Sequence, residues 1–144
     1  MRRPATFFAL CLAAMPAVPS LGAEPGRPLA GLTDIPAAEW IAMAMGRTLT
    51  YAIGGELWAR ERYRGGDRVT LQFYDGTCIE GVWEHVEPLY CFHWEREGTS
   101  CFRHVRLGDE ILVLETRDGI ETGAVQVMTG VSDAPLDCGA PPIS

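Results

Sequence analysis

Lysine is absent from this 144-residue chain: all 12 basic residues are arginine, they face 19 carboxylates, and the formal charge at pH 7 is −7. A chain this acidic repels phosphate backbones and anionic lipid surfaces, which argues against nucleic acid and membrane partners. Acidity does supply solubility, and it attracts cationic proteins. The missing lysine is read as a trait of composition rather than of mechanism. Beyond the N-terminal segment no run of 18 apolar residues occurs, so no helical membrane span is expected after processing. Catalytic signatures are missing too. There is no Ser-His-Asp order, no Gly-x-Ser-x-Gly elbow, no phosphate loop and no Cys-x-x-Cys-His haem site. No catalytic residue, metal or cofactor is assigned.

What is present begins with an address. Arg2 and Arg3 precede an apolar run from Ala5 to Met15; Pro16 and Pro19 break it, and the small residues Ser20, Gly22 and Ala23 close it. Residues 1–23 therefore read as a secretory signal peptide, too short and wrongly flanked for a stable span. Cleavage is expected near Ala23, with Ser20 or Gly22 as alternatives because Leu21 would occupy the −3 position. Cys11 lies inside the apolar stretch after Phe8-Ala9-Leu10, which does not suit a lipoprotein site. The mature chain of 121 residues would carry 10 arginines against 19 carboxylates, a formal −9. A periplasmic or secreted location is expected, and in that oxidising setting Cys78, Cys91, Cys101 and Cys138 are expected as two disulfides.

Residues 24–33 are rich in Pro and Gly and read as an extended leader; residues 34–144 read as one domain. A short helix is expected over 34–45, with Asp34 as its cap, Pro36 in the first turn, Glu39 complementing the dipole and Gly46 ending it. From Thr48 the apolar period becomes two. Eight strands are expected: Thr48–Ile53, Glu56–Tyr63, Arg68–Tyr74, Thr77–Glu84, Leu89–Trp94, Ser100–Leu107, Glu110–Glu115 and Thr122–Met128. Asp75-Gly76 is the strongest hairpin signal among the breaks. The apolar faces read as Leu57/Ala59, Val69/Leu71/Phe73, Ile79/Gly81/Trp83, Tyr90/Phe92/Trp94, Leu112/Leu114 and Val125/Val127. Eight short strands in up-and-down order escape exposed edges by closing on themselves. The expected fold is thus mainly β, a small antiparallel barrel plugged at one end by the helix, with a two-sheet sandwich as the alternative.

Cys91-Phe92-His93-Trp94 and Cys101-Phe102-Arg103-His104 form a near-repeat that could be a Cys2His2 zinc site. Register decides against it. If Cys91 faces Cys101, then His93 faces Thr99 and Trp94 faces Gly98 across a three-residue turn, an ordinary hairpin. His93 then shares the cysteine face while His104 lies on the opposite, aromatic face, and one ion does not reach both. A Cys91–Cys101 disulfide is expected, which leaves Cys78 for Cys138. His85 reads as a turn residue beside Glu84 and Glu87. Arg60, Arg62 and Arg64 read as a solvent face paired with Glu56, Glu61 and Asp67.

Gly76-Thr77-Cys78, Gly81-Val82-Trp83, Leu89-Tyr90-Cys91-Phe92 and Cys101-Phe102 together resemble a group of small secreted Gram-negative proteins of uncharacterised function, with a Gly-x-Trp, Cys-Phe, Cys-Phe pattern. The resemblance covers most of residues 46–138. It implies a lipocalin-like periplasmic barrel and brings no catalytic residues. Members of such groups also bear the name dihydrodipicolinate reductase, but this chain lacks that enzyme's glycine-rich dinucleotide turn, its βαβ alternation and about half its length. On these grounds the chain is expected to be a non-enzymatic barrel that binds a small apolar ligand or a protein. Trp40, Trp58, Trp83, Tyr90, Phe92 and Trp94 are the candidate pocket residues. The alternative is an acidic inhibitor of a cationic hydrolase such as a lysozyme or protease. Catalysis by His85 or His104 with a nearby carboxylate ranks last.

Overall fold

Short alternating runs between tight turns become consecutive antiparallel strands in the computed structural model, which describes residues 31–139. The signal segment, most of the leader and the last five residues lie outside the described residues. A two-residue strand β1 (Thr33–Asp34) and helix α1 (Ala37–Ala44) lead into β2 (Thr48–Ile53), β3 (Glu56–Tyr63), β4 (Arg68–Phe73), β5 (Cys78–Val86) and β6 (Leu89–Trp94). β7 (Gly98–Leu107), β8 (Glu110–Arg117) and β9 (Ile120–Ser132) complete the meander. Each of β2 to β9 pairs with its sequence neighbours, and β9 returns to pair with β2, with Leu49 opposite Val131 and Tyr51 opposite Met128. The result is a closed eight-stranded up-and-down barrel, the expected fold.

Register follows the cysteines as expected. Cys91 faces Cys101, His93 faces Thr99 and Trp94 faces Gly98. Both disulfides are formed, Cys91–Cys101 and Cys78–Cys138. Gly98 adopts φ 76°, a left-handed conformation that suits glycine, at the end of the β6–β7 turn. Gly81 serves a different need. A Cβ there would lie 2.7 Å from both the His93 carbonyl oxygen and the Trp94 ring, so its absence lets the indole lie against β5.

Helix α1 closes one end of the barrel. Trp40 is fully buried, with its ring 4.1 Å from His104, 5.6 Å from Tyr90 and 6.2 Å from Tyr63. An eight-residue helix is marginal alone, and this packing supplies what its propensity does not. The Tyr90 hydroxyl donates to the Ile35 carbonyl at 2.7 Å, and Arg106 donates to Glu39 on the helix. Asp34 does not cap the helix as expected. Pro36 occupies the cap position without a side-chain bond, while Asp34 belongs to β1 and accepts two hydrogen bonds from Arg103, at 2.6 and 3.1 Å. A strong cationic partner and strand pairing with Val105 outcompete capping there.

Three further expectations are corrected. Leu112/Leu114 and Val125/Val127 face outward, where they pack with Val105, Leu32 and Leu107 in a second apolar cluster. Val113, opposite His104, faces the interior instead. Ile111-Leu112-Val113-Leu114 is apolar on both faces, so alternation alone could not choose between them. His85 is not in a turn but on β5, with its ring 4.5 Å from Tyr90. Glu61 does not pair with the arginines of β3: it points inward, while Arg62 and Arg64 point outward. Arg62 bonds Thr48 and the carbonyls of Asp133 and Ala134, and Arg64 meets Glu80 at 3.6 Å.

The tail after β9 crosses the outer faces of β2 to β5. Thr48 donates to the Ala134 carbonyl and Gln72 to the Asp137 carbonyl, and Cys138 is bonded to Cys78 at the start of β5. This strap engages Thr48 and Gln72, polar outward-facing residues that are nevertheless buried.

Two consequences can be measured by urea unfolding. Trp40→Ala should cost about 3–5 kcal/mol, because it empties the plugged end of the barrel. Replacing Cys78 and Cys138 together by serine should cost about 2–4 kcal/mol, since the bridge closes a 60-residue separation.

Candidate ligand cavity

Closing eight strands leaves an interior that side chains must fill or a ligand can share. At the helix end it is filled. Trp40, Tyr63, Trp83, Tyr90 and His104 interlock there, with Tyr90 and His104 stacked at 4.1 Å and an interplanar angle of 5°. At the other end the helix does not reach, and a cavity of about 240 Å³ opens toward the β6–β7 turn at Glu97. Its walls carry Trp58, Phe73, Phe92, Trp94 and Phe102, and Leu71, Ile79 and Val113 add aliphatic surface. Phe92 stacks on Trp94 at 5.6 Å, and Trp58 meets Phe73 edge-on at 5.7 Å. These pairs fix the aromatic walls before any ligand enters.

Polar groups converge on the inner part of the cavity. Glu61 is 6% exposed, lies opposite Leu49 on β2 and Leu71 on β4, and accepts a hydrogen bond from the Tyr51 hydroxyl at 3.2 Å. Burial raises its pKa from the ordinary 4.5 to about 7, against a smaller lowering by the Tyr63 and Tyr51 hydroxyls. Burial likewise raises Tyr51 and Tyr63 well above the usual phenol range, and the Glu61 charge adds to both shifts. His104 is 1% exposed, and its Nδ1 has no hydrogen-bond partner among the described residues. Burial, and to a lesser extent His85, lowers it to about 3, so it is neutral at physiological pH. Gln126 and Ser100 complete the polar lining.

The six candidate pocket residues separate into two groups. Trp58, Phe92 and Trp94 line the cavity, whereas Trp40, Trp83 and Tyr90 form the packed plug beneath it. Glu61 is the lining residue that the sequence reading placed elsewhere, on a solvent face; His104, weighed there as a zinc ligand and as a catalytic residue, stands in the lining. The signal for Glu61 was available: continuing the period of two from Ala59 gives Glu61 and Tyr63 on the inner face, between outward Arg60 and Arg62. His93 lies outside the barrel, where it bonds Thr99 and Glu84 at 2.9 Å each.

Ser100 and His104 share the lining but are four residues apart on one strand. At about 3.3 Å per residue that places them roughly 13 Å apart, beyond any hydrogen bond. A nucleophile activated by an adjacent base is therefore not assembled from this pair. The cavity has the character of a binding site: largely apolar, formed in advance, with a few polar groups placed deep. Comparison with known proteins adds nothing to this geometry, since no family model, no curated protein and no solved structure matches the chain.

The raised carboxyl has a signed consequence for stability. Below pH 4.5 Glu61 is protonated in folded and unfolded chains alike. Between pH 4.5 and about 7 the unfolded chain has released that proton while the folded chain holds it, so Glu61 destabilises the fold increasingly as pH rises. His104 acts oppositely, lowering stability as pH falls from 6.5 toward 3. Glu61→Gln should therefore match the parent below pH 4.5 and exceed it by up to about 3 kcal/mol above pH 7, measured by urea unfolding across that range.

Proposed function

We propose that the protein is a non-enzymatic binding barrel of the periplasm or extracellular space that holds a small, mainly apolar ligand in its open half. The cavity carries this reading: aromatic walls are already in place, and the buried polar side chains Glu61 and His104 are part of its lining. Its volume is above the roughly 150 Å³ in which an apolar cavity takes up benzene and below the roughly 300 Å³ at which drug-sized sites begin. The ligand is accordingly about one ring and a short chain in size. Two disulfides, and no helix among the described residues long and apolar enough to cross a membrane, fit a secreted or periplasmic setting. The N-terminal signal pattern and the resemblance to small secreted Gram-negative barrels point to the same place.

Trp58 and Trp94 make the test direct. Titrating small aromatic and aliphatic compounds should change the tryptophan fluorescence saturably, with Kd values in the micromolar to millimolar range for so small a contact. Ser100→Phe, which places a ring in the cavity opposite Phe92, should abolish that change while the far-ultraviolet circular dichroism stays the same. No saturable response from any compound in the parent protein would end the proposal.

A further inference from the structure

The cavity's lining is unusual in its charge. Glu61 is its one deeply buried carboxyl, and no arginine is among the lining residues. Its strand neighbours Arg60 and Arg62 alternate to the outer face, where Arg62 is engaged with the tail. Tyr51 donates to Oε1 at 3.2 Å and the Tyr63 hydroxyl also acts on the carboxyl, but both are neutral groups and neither brings a counter-charge. The other titratable groups facing this space do not supply a cation. Tyr51 and Tyr63 are neutral phenols, buried His104 is uncharged at physiological pH, and Glu97 stands at the exposed mouth. A buried carboxylate without a cationic partner is costly, so it either keeps its proton or takes its counter-charge from outside the chain.

Building on the cavity reading, we infer that the ligand is a protonated amine on a small apolar body, its ammonium group against Glu61 and its body among Trp58, Phe92, Trp94 and Phe102. Three features favour this class over others. A carboxylate or phosphate ligand would meet Glu61 with like charge and find no arginine in the lining. A neutral alcohol can accept from or donate to the carboxyl, but it does not relieve the buried charge. An ammonium ion donates to the carboxylate and balances its charge, and the aromatic walls offer it ring faces, an interaction that strengthens when desolvated. Seating the cation holds Glu61 ionised, so binding near neutral pH releases protons to solvent.

The test is calorimetric titration of the full mature protein with 2-phenylethylammonium, 2-phenylethanol and phenylacetate, three probes of nearly equal shape. At pH 8 the ammonium compound should bind at least ten-fold more tightly than the alcohol, and phenylacetate most weakly. Its affinity should fall roughly ten-fold on going to pH 6, where Glu61 is largely protonated, and the heat at pH 7 should vary with the ionisation enthalpy of the buffer. Glu61→Gln should remove the preference for the ammonium compound and leave binding of the alcohol in place. Alcohol and ammonium binding equally, or a preference that survives in Glu61→Gln, would overturn the amine assignment while leaving the cavity reading intact. Failure of all three probes would overturn both.

Discussion

The pairing of β9 with β2 is the constraint on which the rest of this structure depends. Without it the meander would be an open sheet with two bare edges and one apolar face exposed. With it the chain acquires an interior whose size is set by strand number rather than by the side chains available. Helix α1 and Trp40 then fill one end, and the aromatic side chains of β3, β4, β6 and β7 line the other without filling it. The cavity is thus the part of a closed barrel that a short helix does not reach. Each disulfide secures a different part of this arrangement. Cys91–Cys101 ties β6 to β7 beside the mouth, and Cys78–Cys138 holds the strap across the outer faces of β2 to β5.

Closure also explains how a carboxyl comes to lie in an apolar interior. An inward position on a barrel strand has no route to solvent except through the cavity, so Glu61 depends on its immediate neighbours for all its stabilisation. Those neighbours are Leu49 and Leu71 in register, with the hydroxyls of Tyr51 and Tyr63 nearby. A folding optimum would place an apolar residue there. Under the binding proposal, Glu61 in a lining of aromatic rings is a position where stability is exchanged for recognition.

Much of the fold was legible in the sequence. The bounds of β2, β3 and β6 follow from Gly54-Gly55, Gly65-Gly66-Asp67 and the turn at Glu95–Glu97, because glycine and charged turn residues interrupt an otherwise strict alternation. The hairpin register followed from the two Cys-Phe pairs, since only one alignment brings the sulfurs together across an ordinary turn. Less was legible where local pattern and tertiary contact compete. The run Ile111 to Leu114 names no face, and its orientation is imposed by β7 and β9. Asp34 has the composition of a cap, yet Arg103, 69 residues away in sequence, claims it. The candidate site was hardest to read, because charge neighbours along the chain suggested that Glu61 belonged with Arg60 and Arg62. Strand geometry separates them completely, and only the period of two, carried one step past Ala59, would have revealed it.

The central claim is that the open half of the barrel is a largely apolar pocket with a buried carboxyl in its lining. A carbon-13 NMR titration of the Glu61 side-chain carboxyl in the ligand-free protein tests it most directly. A midpoint near pH 7 is predicted for Glu61. A midpoint at the ordinary 4.5 would show that water solvates the group freely, and would contradict the account of the cavity.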